Sequence, residues 1–168
     1  MDIKFTLSLP RDAMSVPIVR RLLKSSMRTL GVVEDNVNDV VVALTEACTN
    51  VLDHAAAGDE YAVLVRLNDQ SCLIDVIDAG QGFDPTDVGQ GNADATAEAG
   101  RGIQLIRALV DRVNFRTRPE QGTVVHLEKG LTYQDEAPLR RLAERGTDTI
   151  TLDLSKAQVA LDERDANV

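Results

Sequence analysis

The sequence predicts an α+β fold: a two-layer α/β sandwich whose mixed, mostly antiparallel sheet carries its helices on one face. Three observations predict it. Strand-like alternation and helix-like periodicity occur in the order β-α-α-β-β-loop-α-β-β. The later strands come in pairs joined by tight-turn signals, which rules out an all-parallel sheet. At 168 residues, 43% hydrophobic and 27% charged, the chain has the make-up of one ordinary globular domain with its own core.

Residues 2 to 9 alternate, with Ile3, Phe5, Leu7 and Leu9 on one side, the pattern of a half-buried strand. A helix is expected from Ser15, with Pro17 close behind it. Val16, Val19, Leu22 or Leu23, Met27 and Leu30 recur at helical spacing, and Gly31 ends the run. A second helix starts near Asp35. Its apolar positions Val37, Val40, Val41, Leu44, Ala47, Cys48 and Val51 follow a 3.6-residue period. "YAVLVRLNDQSCLIDVID" reads as two strands turning at Asn68-Asp69.

Residues 84 to 99 hold four acidic residues, no basic ones and almost nothing large and apolar, so they are expected to form a mobile loop. A third helix is expected from Gly102 through Val110. "RVNFRTR" and "GTVVHLEKG" are two more strands, turning at residues 119 to 122. Beyond about residue 133 the chain reads as an extension, 134–168. It has a short helical piece around Leu139 to Arg145, a strand candidate in "TITLDL" and an acidic, frayed end.

The net charge of -9 argues against a general nucleic-acid binder, which needs cations to neutralise phosphates. It suits a basic protein partner, and solubility explains it equally well. The N-terminus lacks the basic and apolar regions of a signal peptide, and no apolar stretch approaches a membrane span. Cys48 and Cys72 lack metal-ligand spacing and sit in apolar patterns, as buried reduced thiols do. These features point to the cytoplasm.

Three polar groupings stand out. On the second helix Glu46 and Asn50 are four residues apart, and Asp53 returns to their stripe a turn later. Such a stripe can be a solvated face. A carboxylate beside a carboxamide also suits a hydrated Mg²⁺, which prefers oxygen ligands. The stretch "IDVIDAGQGFDP" drives a strand into Asp78 and then places Gly80 and Gly82. A turn explains the glycines. A ligand floor explains them too, with Asp78 accepting from an exocyclic amine and bare backbone allowing close approach. In "AGRGIQLIRAL" Gly100, Arg101 and Gly102 open the third helix, as a plain N-cap or as a phosphate cradle.

The order of the three is more specific than any one of them. "EACTNVLDHA", "DAGQGFDP" and "GRGIQLIRAL" resemble the N box and two glycine boxes of the Bergerat-fold ATPases. Within that superfamily the chain is most similar to the bacterial anti-sigma-factor serine/threonine kinases, over about residues 1 to 130. The resemblance implies a histidine-kinase-like ATPase domain at 1–133. Glu46 would be the general base, and Asn50 would ligate Mg²⁺. Asp78 would accept from the adenine amine over a floor of Gly80 and Gly82. Gly100, Arg101 and Gly102 would line the phosphates, and Thr123 would support Asp78 from the last strand. His54 matches a histidine common in the N box.

With ATP and Mg²⁺ as cofactors, the implied activity is phosphorylation of a serine on an anti-sigma-factor antagonist, coupled to sequestration of an RNA polymerase sigma factor, in a homodimer. The alternative is a nucleotide-gated binding module that sequesters its partner without phosphoryl transfer. The acidic lid segment lacks an obvious lysine, which leaves Arg101 as the nearest cation. The stripe Arg20, Lys24, Arg28 on the first helix is either a solvated face or a docking face for an acidic antagonist.

Overall fold

The computed structural model describes residues 2–54, 60–78, 96–118, 122–138 and 149–153, together with 141 and 144. The elements follow as β1 (Asp2–Pro10), α1 (Ser15–Thr29), α2 (Glu34–His54), β2 (Glu60–Leu67), β3 (Ser71–Asp78), α3 (Thr96–Leu109), β4 (Arg112–Arg118), β5 (Gly122–Gly130) and β6 (Thr149–Asp153). The strands form one sheet in the order β4-β5-β3-β2-β1-β6. Every pairing is antiparallel except β1 with β6. The mixed, mostly antiparallel sheet and the single layer of helices are the α+β sandwich the sequence predicts.

Alternation decides which face meets the helices. Phe5, Leu7 and Leu9 of β1, Val63, Val65 and Leu67 of β2, and Cys72, Ile74 and Val76 of β3 are buried. They pack with Val19, Leu23 and Met27 of α1 and with Val37, Val40, Leu44 and Ala47 of α2. Each large aliphatic side chain so covered contributes about 1.5–3 kcal/mol relative to exposure. Among the described residues no helix covers the opposite face of the sheet, where Lys4, Thr6, Arg66, Asp75 and His126 surround a hollow together with Leu64 and Leu73. There His126 Nδ1 and Asp75 Oδ1 lie 2.6 Å apart.

The turns are built as their residues require. Gly31 has φ +84°, and it ends α1 with the Gly31 N–H on the Arg28 carbonyl and the Val32 N–H on that of Met27. The β2–β3 hairpin turns on Asn68, whose Oδ1 accepts from the N–H groups of Gln70 and Ser71. Both cysteines are buried and free.

One expectation changes. The third helix begins at Thr96, not Gly102, so residues 96–99, expected in a loop, are helical. The segment Thr96-Ala97-Glu98-Ala99 has no large apolar residue to reveal a periodicity, yet Ala and Glu are strong helix formers. The rest of the expected loop, 84 to 95, lies outside the described residues, as do residues 79–83 and 119–121. The strand candidate in "TITLDL" is a strand: Thr149–Asp153 runs parallel to Asp2–Thr6 and joins the edge of the sheet. Of the expected helical piece near 139–145, positions 141 and 144 are helical and the others lie outside the described residues.

Candidate functional site

The apolar stripe of α2 fixes where its polar residues point. With Val40, Leu44, Ala47 and Val51 buried, Glu46 and Asn50 turn toward α3. Asn50 is 6% exposed, and its amide Nδ2 is buried with no hydrogen-bond partner among the described residues. Glu46 is partly exposed, whereas Asp53, expected on the same stripe, faces solvent. The described backbone includes His54 as the last residue of α2.

Gly102 is the residue of α3 that meets this pair. A Cβ there would come within 2.9 Å of Glu46 Oε2, 3.5 Å of Asn50 Oδ1 and 3.8 Å of Asn50 Nδ2. Glycine leaves the Glu46 carboxylate its present place at this helix crossing, which a larger side chain would make it leave. Gly100 and Arg101 precede it in α3, with Gly100 half-buried and Arg101 exposed. All three lie inside the helix and do not open it, because the helix starts at Thr96. Interior helical N–H groups bond within the helix, so these three are not the free N–H groups of a helix end, and a phosphate would meet them by close approach. The role left to Gly102 is close approach.

Asp78 ends β3 in the middle of the sheet, with β5 on one side and β2 on the other. It is 3% exposed. The register sets it opposite Tyr61 of β2 and Thr123 of β5, so the neighbouring position expected for Thr123 is met in the backbone. Gly80 and Gly82 lie outside the described residues. Arg11, which no sequence motif singled out, donates from Nη2 to Asp78 Oδ1. The signal for it was only a basic residue in the turn after β1, with its partner 67 positions away along the chain.

Beneath α1, Ser15 Oγ and Tyr61 Oη share a buried hydrogen bond of 2.7 Å. Burial pushes the Cys48 thiol up to about 12, with Tyr61 bonded to it in partial compensation, and raises the Cys72 thiol as well. Neither thiol has the depressed pKa of a nucleophile. An open groove of about 570 Å³ lies between α1 and α2, with Arg20, Arg21, Lys24, Asn38 and Glu46 among its lining residues. Arg28, expected in the same basic stripe, is instead paired with Glu34.

The donor set fits a Mg²⁺-bound nucleoside triphosphate. An amide is nearly symmetric in shape, so a half-turn of the Asn50 side chain presents Oδ1 where Nδ2 now lies, an oxygen of the kind Mg²⁺ takes. Among the described residues no three His, Cys, Asp or Glu side chains converge on one point. Mg²⁺ needs few protein ligands when substrate phosphates and waters fill most of its shell.

Comparison with known proteins shows the family to which the chain belongs. Residues 9–129 match the histidine kinase-like ATPase domain family. Over 144 residues the chain is 31% identical to the serine-protein kinase RsbW of Halalkalibacterium halodurans, covering 80% of this chain and 86% of that protein. It is 30% identical over 123 residues to RsbW of Bacillus thuringiensis, covering 67% of this chain and 76% of that one. A crystal structure of the RsbU and RsbW domains of a Mycobacterium tuberculosis protein superimposes with a TM-score of 0.60 at 19% identity. That match covers 78% of this chain and 33% of the longer one, and it shows the shared fold. The chain belongs to the histidine kinase-like ATPase family and, within it, to the anti-sigma-factor protein kinases of the RsbW type.

Proposed function

We propose that this protein is an ATP-dependent serine/threonine kinase that phosphorylates a serine of an anti-sigma-factor antagonist and, in the alternative state, sequesters a sigma factor. One observation carries the reading. Glu46 and Asn50 are packed side by side against Gly102, with the Asn50 amide buried and unpartnered among the described residues. A buried polar group without a partner costs about 1–3 kcal/mol, which a ligand at that point would recover.

In this reading Asp78 accepts from the adenine amine at the end of β3, with Thr123 beside it and Gly80 and Gly82 beneath. Asn50 supplies an oxygen to Mg²⁺, which offsets charge on the phosphate oxygens. Glu46 accepts the proton of the acceptor serine as its oxygen attacks the γ-phosphorus and the bond to the β-phosphate oxygen breaks, releasing ADP. Phosphoryl transfer of this kind asks the protein for position and electrostatics more than for covalent chemistry. Glu46 lines the groove between α1 and α2, and the Arg20, Arg21 and Lys24 that line it too suit an acidic acceptor segment.

The remaining surface is acidic, at net charge -9, and suits capture of a basic sigma-factor surface. The reading places the protein in the cytoplasm as a homodimer. It agrees with the finding that no described helix is long and apolar enough to cross a membrane.

The test is transfer itself. With Mg-ATP labelled at the γ-phosphate, the protein should label a serine on one of the antagonist proteins encoded by its host. Glu46→Gln should abolish labelling while leaving ATP affinity within about threefold, because the carboxylate acts on the acceptor. Absence of transfer to every such antagonist would overturn the kinase reading. Intact regulation by Glu46→Gln would instead favour a nucleotide-gated binder.

A further inference from the structure

One lysine of β5 ties the two helices of the site together, away from the point where they cross. The Lys129 side chain is 17% exposed. Its Nζ donates to the Leu109 carbonyl at 2.8 Å and pairs with Asp39 Oδ2 at 3.0 Å. Leu109 is the last residue of α3, where carbonyls lack partners within the helix and carry the negative end of its dipole. An ammonium there answers both needs. The next turn of chain is held to β5 as well, with the Asp111 N–H on the Glu128 carbonyl at 2.9 Å.

Asp39, Ala43, Glu46 and Asn50 form one stripe of α2. Asp39 precedes Glu46 by seven residues, and on α3 Leu109 follows Gly102 by seven, in each case about two turns or 10 Å of helix. Gly102 meets Glu46 and Asn50, while Leu109 and Asp39 meet one ammonium, so the helices run antiparallel between a crossing and an anchor. Buried Leu44, Ile103 and Ile106 hold the helices to the core. Apolar burial is non-directional, whereas an ammonium between a carboxylate and a helix-end carbonyl fixes position along the axes. That position matters at the crossing. A Cβ on Gly102 would come within 2.9 Å of Glu46 Oε2, so a shift of even part of the roughly 1.5 Å rise per residue changes the gap that holds the carboxylate.

We propose that Lys129 is a positioning residue for phosphoryl transfer: by anchoring the end of α3 to Asp39 of α2 it sets the gap between Gly102 and Glu46, and with it the place of the Glu46 carboxylate. The inference rests on the reading of Glu46 as the group that accepts the serine proton. It adds a residue that acts through Glu46 from two turns away. Loss of the anchor slows the transfer step and spares the grip on the nucleotide base, which that reading puts at Asp78. The competing role is a plain structural tie between α2, α3 and β5. A tie alone lowers stability and leaves the rate of the folded protein as it was.

Three measurements on the full chain separate the two: kcat for transfer to the antagonist that the unmodified protein labels, calorimetric affinity for Mg-ATP, and melting temperature. Lys129→Met, which keeps the aliphatic stem, should lower kcat about tenfold, the scale of a misplaced reacting group, and leave ATP affinity within about threefold. Lys129→Arg, which keeps a charge and donors, should recover most of the rate. On a Gly102→Ala background, where the gap is already altered, Lys129→Met should lower kcat by less than about threefold more, because both changes act on one gap. An unchanged kcat in folded Lys129→Met, no recovery with Lys129→Arg, or the full loss repeated on Gly102→Ala would each overturn the proposal. Asp39→Asn, a milder break in the anchor, should lower kcat in the same direction. Loss of the folded state in both Lys129→Met and Asp39→Asn would also overturn it, by making the anchor a necessity of the fold. An unmodified protein that labels no antagonist removes the kinase reading itself, a result distinct from an unchanged rate in the variant.

Discussion

Gly102 shows how much one residue can decide at this site. A methyl group there would meet Glu46 Oε2 at 2.9 Å, a distance that real Cβ atoms do not tolerate. The Glu46 carboxylate is the far end of a flexible chain, so it would give way before the helices did. Gly102→Ala should therefore fold with little loss of stability and still lower the rate of transfer by about ten- to a hundredfold, the usual effect of misplacing a reacting group by an ångström. Steady-state rates beside thermal melting check this. A variant with an unchanged rate would show that Glu46 is not held by that contact. The sequence made Glu46, Asn50 and Asp78 legible through spacing and residue type. Arg11 was not legible, because its meaning depends on a partner 67 residues away. Asn50 and Asp53 shared a predicted stripe, but only packing against α3 separates the buried residue from the exposed one.

Elements with strong apolar periodicity were readable, and those without it were not. The α2 positions Val37, Val40, Val41, Leu44, Ala47, Cys48 and Val51 are all buried, as their spacing predicts. The start of α3 was missed because Thr96-Ala97-Glu98-Ala99 is helical by propensity and leaves no pattern in hydrophobicity. The end of α1 was readable from one glycine, and that glycine carries a second constraint. Gly31 has φ +84°, and a Cβ would lie 2.8 Å from that of Ala137 in the chain that follows β5. Gly31→Ala thus combines an unfavourable backbone region with a clash, and should cost about 2 kcal/mol of stability. Urea unfolding would measure it. A loss under roughly half a kcal/mol would mean that the turn and the returning segment adjust freely.

At the scale of the whole molecule, helices cover one face of the sheet and β6 extends its β1 edge. The core holds groups that resist ionisation. Burial raises the Cys48 thiol from its ordinary 9.0 to about 12, and it raises Cys72, Tyr61 and Tyr133 in the same direction. Between pH 9 and about 12 the unfolded chain releases a proton from Cys48 that the folded chain keeps. Stability is therefore intact below pH 9 and falls as pH rises, with Cys48 alone giving a slope approaching about 1.4 kcal/mol per pH unit. Thermal unfolding at pH 8 to 11 should show the fall, and Cys48→Ala should make it shallower while the other buried groups keep part of it. A melting temperature that holds steady to pH 11 would contradict the buried-thiol account.

The central claim is that the end of β3 and the α2–α3 crossing together form an ATP site, with Asp78 at the base and Asn50 at the metal. Titration calorimetry with ATP in the presence of Mg²⁺ tests it most directly, on the unmodified chain and on Asp78→Asn and Glu46→Gln. The account predicts that the unmodified protein binds, that Asp78→Asn loses about tenfold or more in affinity, and that Glu46→Gln binds nearly as the unmodified protein does. Absence of ATP binding by the unmodified chain, or full affinity in Asp78→Asn, would contradict it.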